Sequence, residues 1–362
     1  MSARAAVWIT GAGIISCLGR GTAAHTEAAR SGRIGIDWIR SFDTEGFSCR
    51  IAGSVDDARI DSASAGHDRF VRLALVAATE AANAARLDDP ALDRIRIGTL
   101  LGTGMGGMET LDQGFQRLYG RGQSRLPPTL IPRSMYNAAT SAVSAELQAE
   151  GPALSIVSAC ASATHAIGQA ALWIRAGMAD VVIAGGSDAP LTPAMIRGWE
   201  ALRVLAPAEG EPAGACRPFS ADRNGMVLAE GAGVVVLESR SSAERRGRDP
   251  LGEILGFGLS SDAGHLTDPS PGGAARAMSL ALADAGIGAE EVGYVNAHGT
   301  GTRANDPAET AALHGVFGRH AAALQVSSTK AMHGHAMGAA GAIELILSLL
   351  SLNAGVIPPT MN

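Results

Sequence analysis

Short runs rich in β-branched residues alternate with longer alanine-rich stretches along most of this 362-residue chain. Such alternation is typical of a sheet covered by helices, so it predicts an α/β protein. The pattern begins again near Leu251, with a strand at Ile254 and a helix over 274–285. We therefore expect two similar halves, residues 1–250 and 251–362. Because no linker separates them, they should pack into one body.

The individual elements can be predicted from their patterns. A strand over 7–10 should end in a glycine turn at Gly11 to Gly13. Apolar residues at helical spacing predict a helix over 68–86. A helix over 160–176 is apolar or small on nearly every side, so we expect it to be buried. The remaining predicted strands are 97–102, 154–158, 181–184, 233–237, 294–297 and 325–327, and the remaining helices follow Pro307 and cover 339–352.

Composition argues against several classes of protein. A formal net charge of −6, without a long basic run, is unlike a nucleic-acid-binding protein. The four cysteines are widely spaced and form no CxxC pair, a pattern that fits a reducing compartment. The N-terminus does not resemble a signal peptide. The apolar stretch 339–352 is interrupted by Glu344 and is too short to span a bilayer. We expect a soluble, cytoplasmic protein.

Cys160 is the first candidate for chemistry, in the segment VSACASATHA. It lies where a predicted strand meets a predicted helix. The free N–H groups and dipole of a helix N-terminus stabilise an anion, so we expect a lowered thiol pKa. The N–H of Cys160 could also donate to a carbonyl oxygen, as one half of an oxyanion hole. On this segment alone, a buried structural cysteine is the alternative.

Two histidine segments could supply partners for that thiol. In NAHGTGTRANDPAET, His298 follows a predicted strand, and in SSTKAMHGHAMGAAGAIE, His333 and His335 precede a helix of small residues. Sheet proteins usually place functional groups where strands end in loops. His333 and His335 could instead bind a metal, although no acidic or cysteine ligand stands at metal spacing nearby. Two further alternatives are satisfied core histidines and a structural ion pair among Lys330, Asp306 and Glu309.

Together these segments resemble the β-ketoacyl-acyl carrier protein synthases, the elongating ketosynthases of the thiolase superfamily. The matching strings, in order along almost the whole chain, are VWITGAGIISCLG, FDTEGFSCRIAG, GTGMGG, NAATSAVSAELQAEGPALSIVSACASA, RPFSADRNGMVLAEGAGVVVLE, AHGTGT, SSTKAMHGHAMGAAGA and IPPTMN. The resemblance implies the thiolase fold, with two similar halves in five α-β-α-β-α layers and the active site between them. The family continues beyond the IPPTMN-like segment with a glycine-rich loop, so the resemblance implies a shortened second half.

The resemblance also implies a reaction and the residues that perform it. Cys160 would accept the acyl group from a carrier protein or coenzyme A thioester. His298 and His335 would polarise the malonyl carbonyl and stabilise the enolate that forms when carbon dioxide leaves. Lys330 matches the lysine before the second histidine, and Glu309 would help to organise it. Neither a metal nor a redox cofactor is implied.

Substrate-binding residues follow from the same resemblance. Thr300 and Thr302 match threonines that bind the phosphopantetheine arm. The acyl pocket should be lined from GTGMGGM and from residues 137–142, and Met226 stands near the site where the family commonly has phenylalanine. His333 replaces a residue that is usually threonine or valine. The candidate pocket residues are Met105, Met108, Asn137 and Met226.

The expected partner is an acyl carrier protein that carries phosphopantetheine-linked acyl and malonyl groups. Such carriers are acidic, so we expect a local basic patch, with Arg69 and Arg72 as candidates. We also expect a homodimer, or a heterodimer with a related subunit, joined through the strand near Val181 or its neighbours. A merely solvated helix face is the alternative for the two arginines.

Two other functions stay open at this point. An NAD-dependent oxidoreductase is suggested by Gly11-Ala-Gly13-Ile-Ile-Ser16 after a strand, although Ser16 replaces the third glycine of the dinucleotide fingerprint. A non-catalytic, chain-length-determining subunit that shapes a partner's pocket is the second. The intact nucleophile and the two histidines oppose it.

Overall fold

A mixed sheet dominates the computed structural model, which describes residues 5–61, 64–207, 210–265 and 267–362. The strands are β1 Val7–Ser16, β2 Gly19–Arg20, β3 Asp37–Trp38, β4 Ile51–Ala52, β5 Ile97–Gly102, β6 Ala153–Ile156, β7 Val181–Asp188, β8 Gly231–Ser239, β9 Gly252–Glu253, β10 Tyr294–Asn296 and β11 Gln325–Ser327. The helices are α1 Thr22–Ser31, α2 Arg69–Ala85, α3 Met108–Phe115, α4 Leu130–Ser134, α5 Ala138–Glu146, α6 Ser162–Arg175, α7 Pro193–Ala201, α8 Arg240–Arg245, α9 Pro271–Ala285, α10 Asn305–Phe317, α11 Lys330–His333 and α12 Ala340–Ala354. Most of the predicted elements are therefore present near their expected positions.

Within the described residues, the main sheet has seven strands in the order β2-β1-β8-β7-β5-β6, with β9 paired to β1. Strands β7, β5 and β6 run parallel, and β8 is antiparallel to both β1 and β7. Every residue of β5, β7 and β8 is buried, because helices cover both faces of the sheet. The dimer interface expected at the strand near Val181 is wrong. That strand, β7, is paired on both sides, as are its neighbours β5 and β8, and the open edge belongs to β6.

The layers alternate between helices and sheets. Helices α2 and α5 pack on one face of the main sheet, and α6 and α12 pack on the other. A second, parallel sheet of β10 and β11 lies beyond α12. Successive residues of β10 point to opposite faces: Asn296 donates to the Glu344 carbonyl on α12 (3.2 Å), whereas Val295 packs with residues of α9 and α10. The order of layers is thus helix, sheet, helix, sheet, helix.

The glycine turn expected at Gly11 to Gly13 is wrong, because both residues lie inside the continuous strand β1. Each permits close approach of α2. A Cβ atom at Gly11 would lie 2.2 Å from the Ala81 carbonyl oxygen, and one at Gly13 would lie 2.1 Å from that of Ala77. These glycines therefore serve packing between strand and helix. They form no loop that could receive a pyrophosphate, which removes the support for an NAD-dependent enzyme.

One helical segment of the described chain, residues 337–354, is long and apolar enough to cross a membrane by length and composition. In the fold it is a core element, with 61% of the segment buried inside the protein. Ile343, Ile346 and Leu347 on α12 are fully buried and belong to the core between this helix and the main sheet. This degree of burial is typical of a helix in the core of a folded protein.

Candidate active site

The three side chains expected to react lie together in the structure. Cys160 Sγ is 3.1 Å from His335 Nε2, and the rings of His298 and His335 meet edge to face with centroids 5.3 Å apart. One ligand-type atom from each of the three residues lies within 4.8 Å of the others. Residues separated by up to 175 positions in sequence therefore converge on one point, as the motifs predicted.

The backbone around Cys160 forms a sharp turn between β6 and α6. Ala159 has a φ of 50°, a left-handed conformation that costs a residue with a side chain conformational energy. Ser162, at the start of α6, accepts from the Ser158 N–H (2.9 Å) and donates to the Ala159 carbonyl (2.6 Å). Helix α6 begins at Ser162 rather than at 160 as expected. The thiol thus stands just before the helix.

The lowered thiol pKa expected from the helix N-terminus is wrong. The pKa of the Cys160 thiol is raised to about 11, mainly by burial and to a lesser extent by the charge of Asp188, while the charge of Lys330 partly offsets the increase. Desolvation disfavours the charged form of any acid, and here it outweighs the helix dipole. The sulfur is consequently a thiol at neutral pH, with an imidazole nitrogen in position to receive its proton.

Both histidines are held neutral by their surroundings. Burial and then the positive charge of Lys330 lower the pKa of His298 to about 3, and the same two causes hold the pKa of His335 well below its ordinary value. Backbone bonds fix His335, whose N–H donates to the Val227 carbonyl (2.7 Å) and whose carbonyl accepts from the Ala229 N–H (2.9 Å). Neutral imidazoles can donate a hydrogen bond while keeping their protons.

Lys330 is fully buried and bonds to Glu344, not to Glu309. The expectation that Glu309 organises Lys330 is therefore wrong. Glu309 accepts from the backbone N–H groups of His298 (2.7 Å) and Gly299 (2.8 Å), so it fixes the histidine loop instead. Asp306 likewise accepts backbone N–H groups, from Phe219 and Gly301. The structural ion pair considered among these residues is absent from the described chain.

Sequence reasoning missed Glu344 and Asp188. Glu344 interrupts the apolar stretch of α12, and a lone carboxylate in such a helix is the signal that could have revealed a buried partner. Asp188, at the end of β7, is fully buried and accepts bonds from Thr103 Oγ1 (2.5 Å) and from three backbone N–H groups, those of Gly104, Met105 and Gly338. Asp188 thereby ties the GTGMGG loop to the segment that follows His335, and nothing in its local sequence marked it.

A cavity of about 810 Å³ opens onto Cys160, His298 and His335. Thr300 and Thr302 line it, with their hydroxyl oxygens 3.0 Å apart, and Met226 lines it as well. The other three candidate pocket residues are not among its lining residues: Met105 donates its N–H to Asp188, Met108 begins α3, and Asn137 is exposed just before α5. Contact between these three and a substrate stays a prediction.

Arg69 and His333 each bond to partners outside the reacting cluster. Arg69 cannot serve as a free basic residue, because its guanidinium bonds to Glu230 (2.7 Å) and to Asp57. His333 does not join the catalytic cluster, since its Nε2 lies 3.2 Å from Thr329 Oγ1.

Cys160, His298 and His335 are also close enough together to act as ligands of one metal ion. Such a set of ligands suits zinc, but it would bind zinc only with the Cys160 thiol deprotonated.

A thiol beside two imidazoles in a five-layer α/β fold is the arrangement that the sequence resemblance implied for an elongating ketosynthase. The chain belongs to the β-ketoacyl synthase family: residues 4–243 match the model of the beta-ketoacyl synthase N-terminal domain, and residues 251–362 match that of the C-terminal domain. The thiolase fold and the identification as a ketosynthase, an acyltransferase of fatty acid or polyketide biosynthesis, are confirmed.

Similar proteins cover almost the whole chain. Nodulation protein E of Rhizobium sp. (strain N33) is 42% identical over 98% of this chain and 88% of that protein. 3-oxoacyl-[acyl-carrier-protein] synthase 2 of Staphylococcus aureus (strain COL) is 42% identical over 100% of this chain and 89% of its own. A solved complex of a type II polyketide acyl carrier protein with its ketosynthase bound to the hexaketide has a TM-score of 0.91 and 31% identity, covering 99% of this chain and 88% of the other.

The raised thiol pKa predicts how alkylation of Cys160 depends on pH. Because only the thiolate reacts, the rate of reaction with iodoacetamide should rise about tenfold per pH unit from pH 7 to pH 10. The other three cysteines are buried, so peptide mass spectrometry should locate the early label on Cys160. Cys160→Ser should lose this label. A rate that levels off below pH 8 would contradict the raised pKa.

Proposed function

We propose that this chain joins an acyl group, carried as a thioester on Cys160, to a malonyl group on an acyl carrier protein, and releases carbon dioxide and a β-ketoacyl-acyl carrier protein. The observation that carries the proposal is the contact of Cys160 Sγ with His335 Nε2, beside His298, in an accessible cavity. Thiols serve this transfer well, because a thiolate is both a good nucleophile and a good leaving group.

In the first half-reaction, the Cys160 sulfur attacks the carbonyl carbon of an acyl thioester. The new carbon–sulfur bond forms, and the bond to the carrier's sulfur breaks. The thiol proton passes through His335 Nε2 to the leaving thiolate, so the imidazole ends neutral again. With a thiol pKa of about 11, this transfer is coupled to attack rather than completed beforehand.

In the second half-reaction, the malonyl carboxylate leaves as carbon dioxide, and the electrons of that bond form an enolate. Once Cys160 is acylated and has no thiol proton to give, His335 can adopt the Nε2–H tautomer, and it and His298 then donate to the enolate oxygen without giving up a proton. The enolate carbon then attacks the Cys160 thioester carbonyl, the carbon–sulfur bond to Cys160 breaks, and the sulfur takes up one proton from the solvent that the open cavity admits. Burial keeps both imidazoles neutral by lowering their pKa values, and the positive charge of Lys330 reinforces this effect.

The cavity suits a phosphopantetheine arm. Thr300 and Thr302 present adjacent hydroxyl groups along its wall, and hydroxyl groups can form hydrogen bonds with the amide groups of such an arm. Met226, a flexible side chain beside Cys160, would adapt to the acyl group. Met105, Met108 and Asn137 would complete the acyl pocket, and Glu309 would hold the His298 loop in place.

The proposed division of the chain is into residues 1–250 and 251–362, the first carrying the nucleophile and the second the two histidines. The boundary between the two matched family models, at residues 243 and 251, supports it. The four cysteines are free thiols, which supports a reducing compartment and thus the cytoplasm.

Acyl transfer to Cys160 tests the proposed reaction directly. The chain is incubated with a radiolabelled acyl-acyl carrier protein, and label on protein and formation of β-ketoacyl product with malonyl-acyl carrier protein are measured. Cys160→Ala should lose the label and reduce condensation by about 10³-fold or more, because no other thiol faces the cavity among the described residues. Cys49→Ala, at a buried cysteine that does not line the cavity, is the matched control. Undiminished condensation in Cys160→Ala would contradict the role of Cys160, and no label in the unaltered chain would instead support a non-catalytic subunit.

We further propose a dimer, with a second copy or a related subunit, formed along the open edge of the main sheet at β6. Leu154 and Val157 are about half exposed there, an apolar edge that an isolated protein would leave open to strand pairing. Pairing of two β6 strands would continue the sheet from one subunit into the other and would place the two Cys160 turns near the interface.

Charged residues on this edge should separate the subunits. Leu154→Lys combined with Val157→Lys should convert the dimer into a monomer in light-scattering measurements at micromolar concentration, because two like charges would face their symmetry mates. Leu352→Lys, at an exposed position on α12, is the control and should stay dimeric. A dimer that persists in the double variant would place the interface elsewhere.

A further inference from the structure

Presentation of the Cys160 thiol depends on a strained turn. Ala159 immediately precedes the nucleophile and holds a φ of 50°, a conformation that residues with side chains adopt only when neighbouring contacts enforce it. Glycine, which would relieve this strain, does not occupy the position. Some set of bonds must therefore hold the turn, and those bonds decide where the sulfur lies.

On the inner side, Ser162 holds the turn through the Ser158 N–H and the Ala159 carbonyl. On the outer side, a second bond joins Ser158 Oγ to His165 Nδ1 at 2.8 Å. His165 lies one helical turn into α6 and is half-buried. The bond spans the turn from its first residue to the helix that follows, so it closes a ring of contacts around Ala159 and Cys160.

The imidazole of His165 is itself held in place. Phe257 meets it edge to face, with ring centroids 6.2 Å apart. Phe257 can approach α6 this closely only because Gly168 lacks a side chain, since a Cβ atom there would lie 2.2 Å from the Phe257 ring. The N–H of Phe257 donates to Asp284 on α9 (2.9 Å). A residue from the second half of the chain therefore supports the nucleophile's turn from outside the cavity.

We propose that His165 is a positioning residue for the nucleophile, which acts through Ser158 to hold the Ala159 turn and so aims the Cys160 thiol at the acyl thioester. It does not line the cavity, and it does not touch His298 or His335 in any described contact. The inference rests on the proposed function. Loss of His165 should affect the two half-reactions differently. Acyl transfer requires a correctly positioned Cys160 sulfur, whereas decarboxylation requires only the two histidines.

The test measures each half-reaction in the full chain. Single-turnover acylation of Cys160 by an acyl-acyl carrier protein should slow about 10- to 100-fold in His165→Ala, since an error of about 1 Å in a reacting group costs rates of this order. Carbon dioxide release from malonyl-acyl carrier protein, measured in the Cys160→Ala background, should change less than about twofold when His165→Ala is added. His165→Asn places a polar atom near the former Nδ1 and should restore most of the acylation rate. His314→Ala, at an exposed histidine on α10, is the matched control and should leave both rates unchanged.

Ser158→Ala removes the same bond from its other end and serves also if His165→Ala fails to fold. It should reproduce the acylation defect, and the double variant should be no slower than either single variant, because both lose one shared interaction. Equal loss of both half-reactions, unchanged acylation in Ser158→Ala, or additive defects in the double variant would overturn the proposal. If the unaltered chain shows no acylation, or if Cys160→Ala alone shows no decarboxylation, the proposed function itself is wrong. The positioning role of His165 would then be wrong as well.

Discussion

The buried ion pair between Lys330 and Glu344 constrains the rest of the site. Lys330 is fully inaccessible to solvent, and a charge in that position is tolerated only with a partner; removal of one partner of such a pair typically costs about 3–5 kcal/mol. The pair therefore fixes α11 against α12. Its cationic end also acts on the reactive groups, since the charge of Lys330 lowers the pKa of Cys160, His298 and His335 alike.

This pair also connects the layers of the fold. Glu344 belongs to α12, which packs on the main sheet, whereas Lys330 follows β11 of the second sheet. Asn296 at the end of β10 adds a bond to the Glu344 carbonyl. The thiol comes from the main sheet through β6 and α6, and the histidines come from the ends of the second sheet. The catalytic geometry is thus a consequence of how two sheets are fixed on either side of one helical layer.

Cys160 and His298 could be predicted because each follows the end of a strand, β6 and β10 respectively, whereas His335 follows α11 and was predicted from the resemblance of its motif to the ketosynthases. Their partners could not be predicted in the same way. Whether Lys330 meets Glu309 or Glu344 depends on which helix faces it, and no local pattern encodes that placement. The glycines of β1 were misread because a glycine that admits a neighbouring helix looks, in sequence, like one that forms a turn. The pKa of Cys160 was misjudged because burial, a property of the whole fold, outweighs the local helix dipole.

The central claim is that burial, reinforced by one buried cation, keeps two imidazoles neutral beside a thiol that burial keeps protonated. Nitrogen-detected NMR of the histidine side chains, recorded between pH 8 and pH 4 and assigned with His298→Asn and His335→Asn, measures this directly. With the pKa of His298 near 3 and that of His335 also well below its ordinary value, both rings should remain neutral throughout the titration. An imidazolium signal from His298 or His335 at pH 6 would contradict the account.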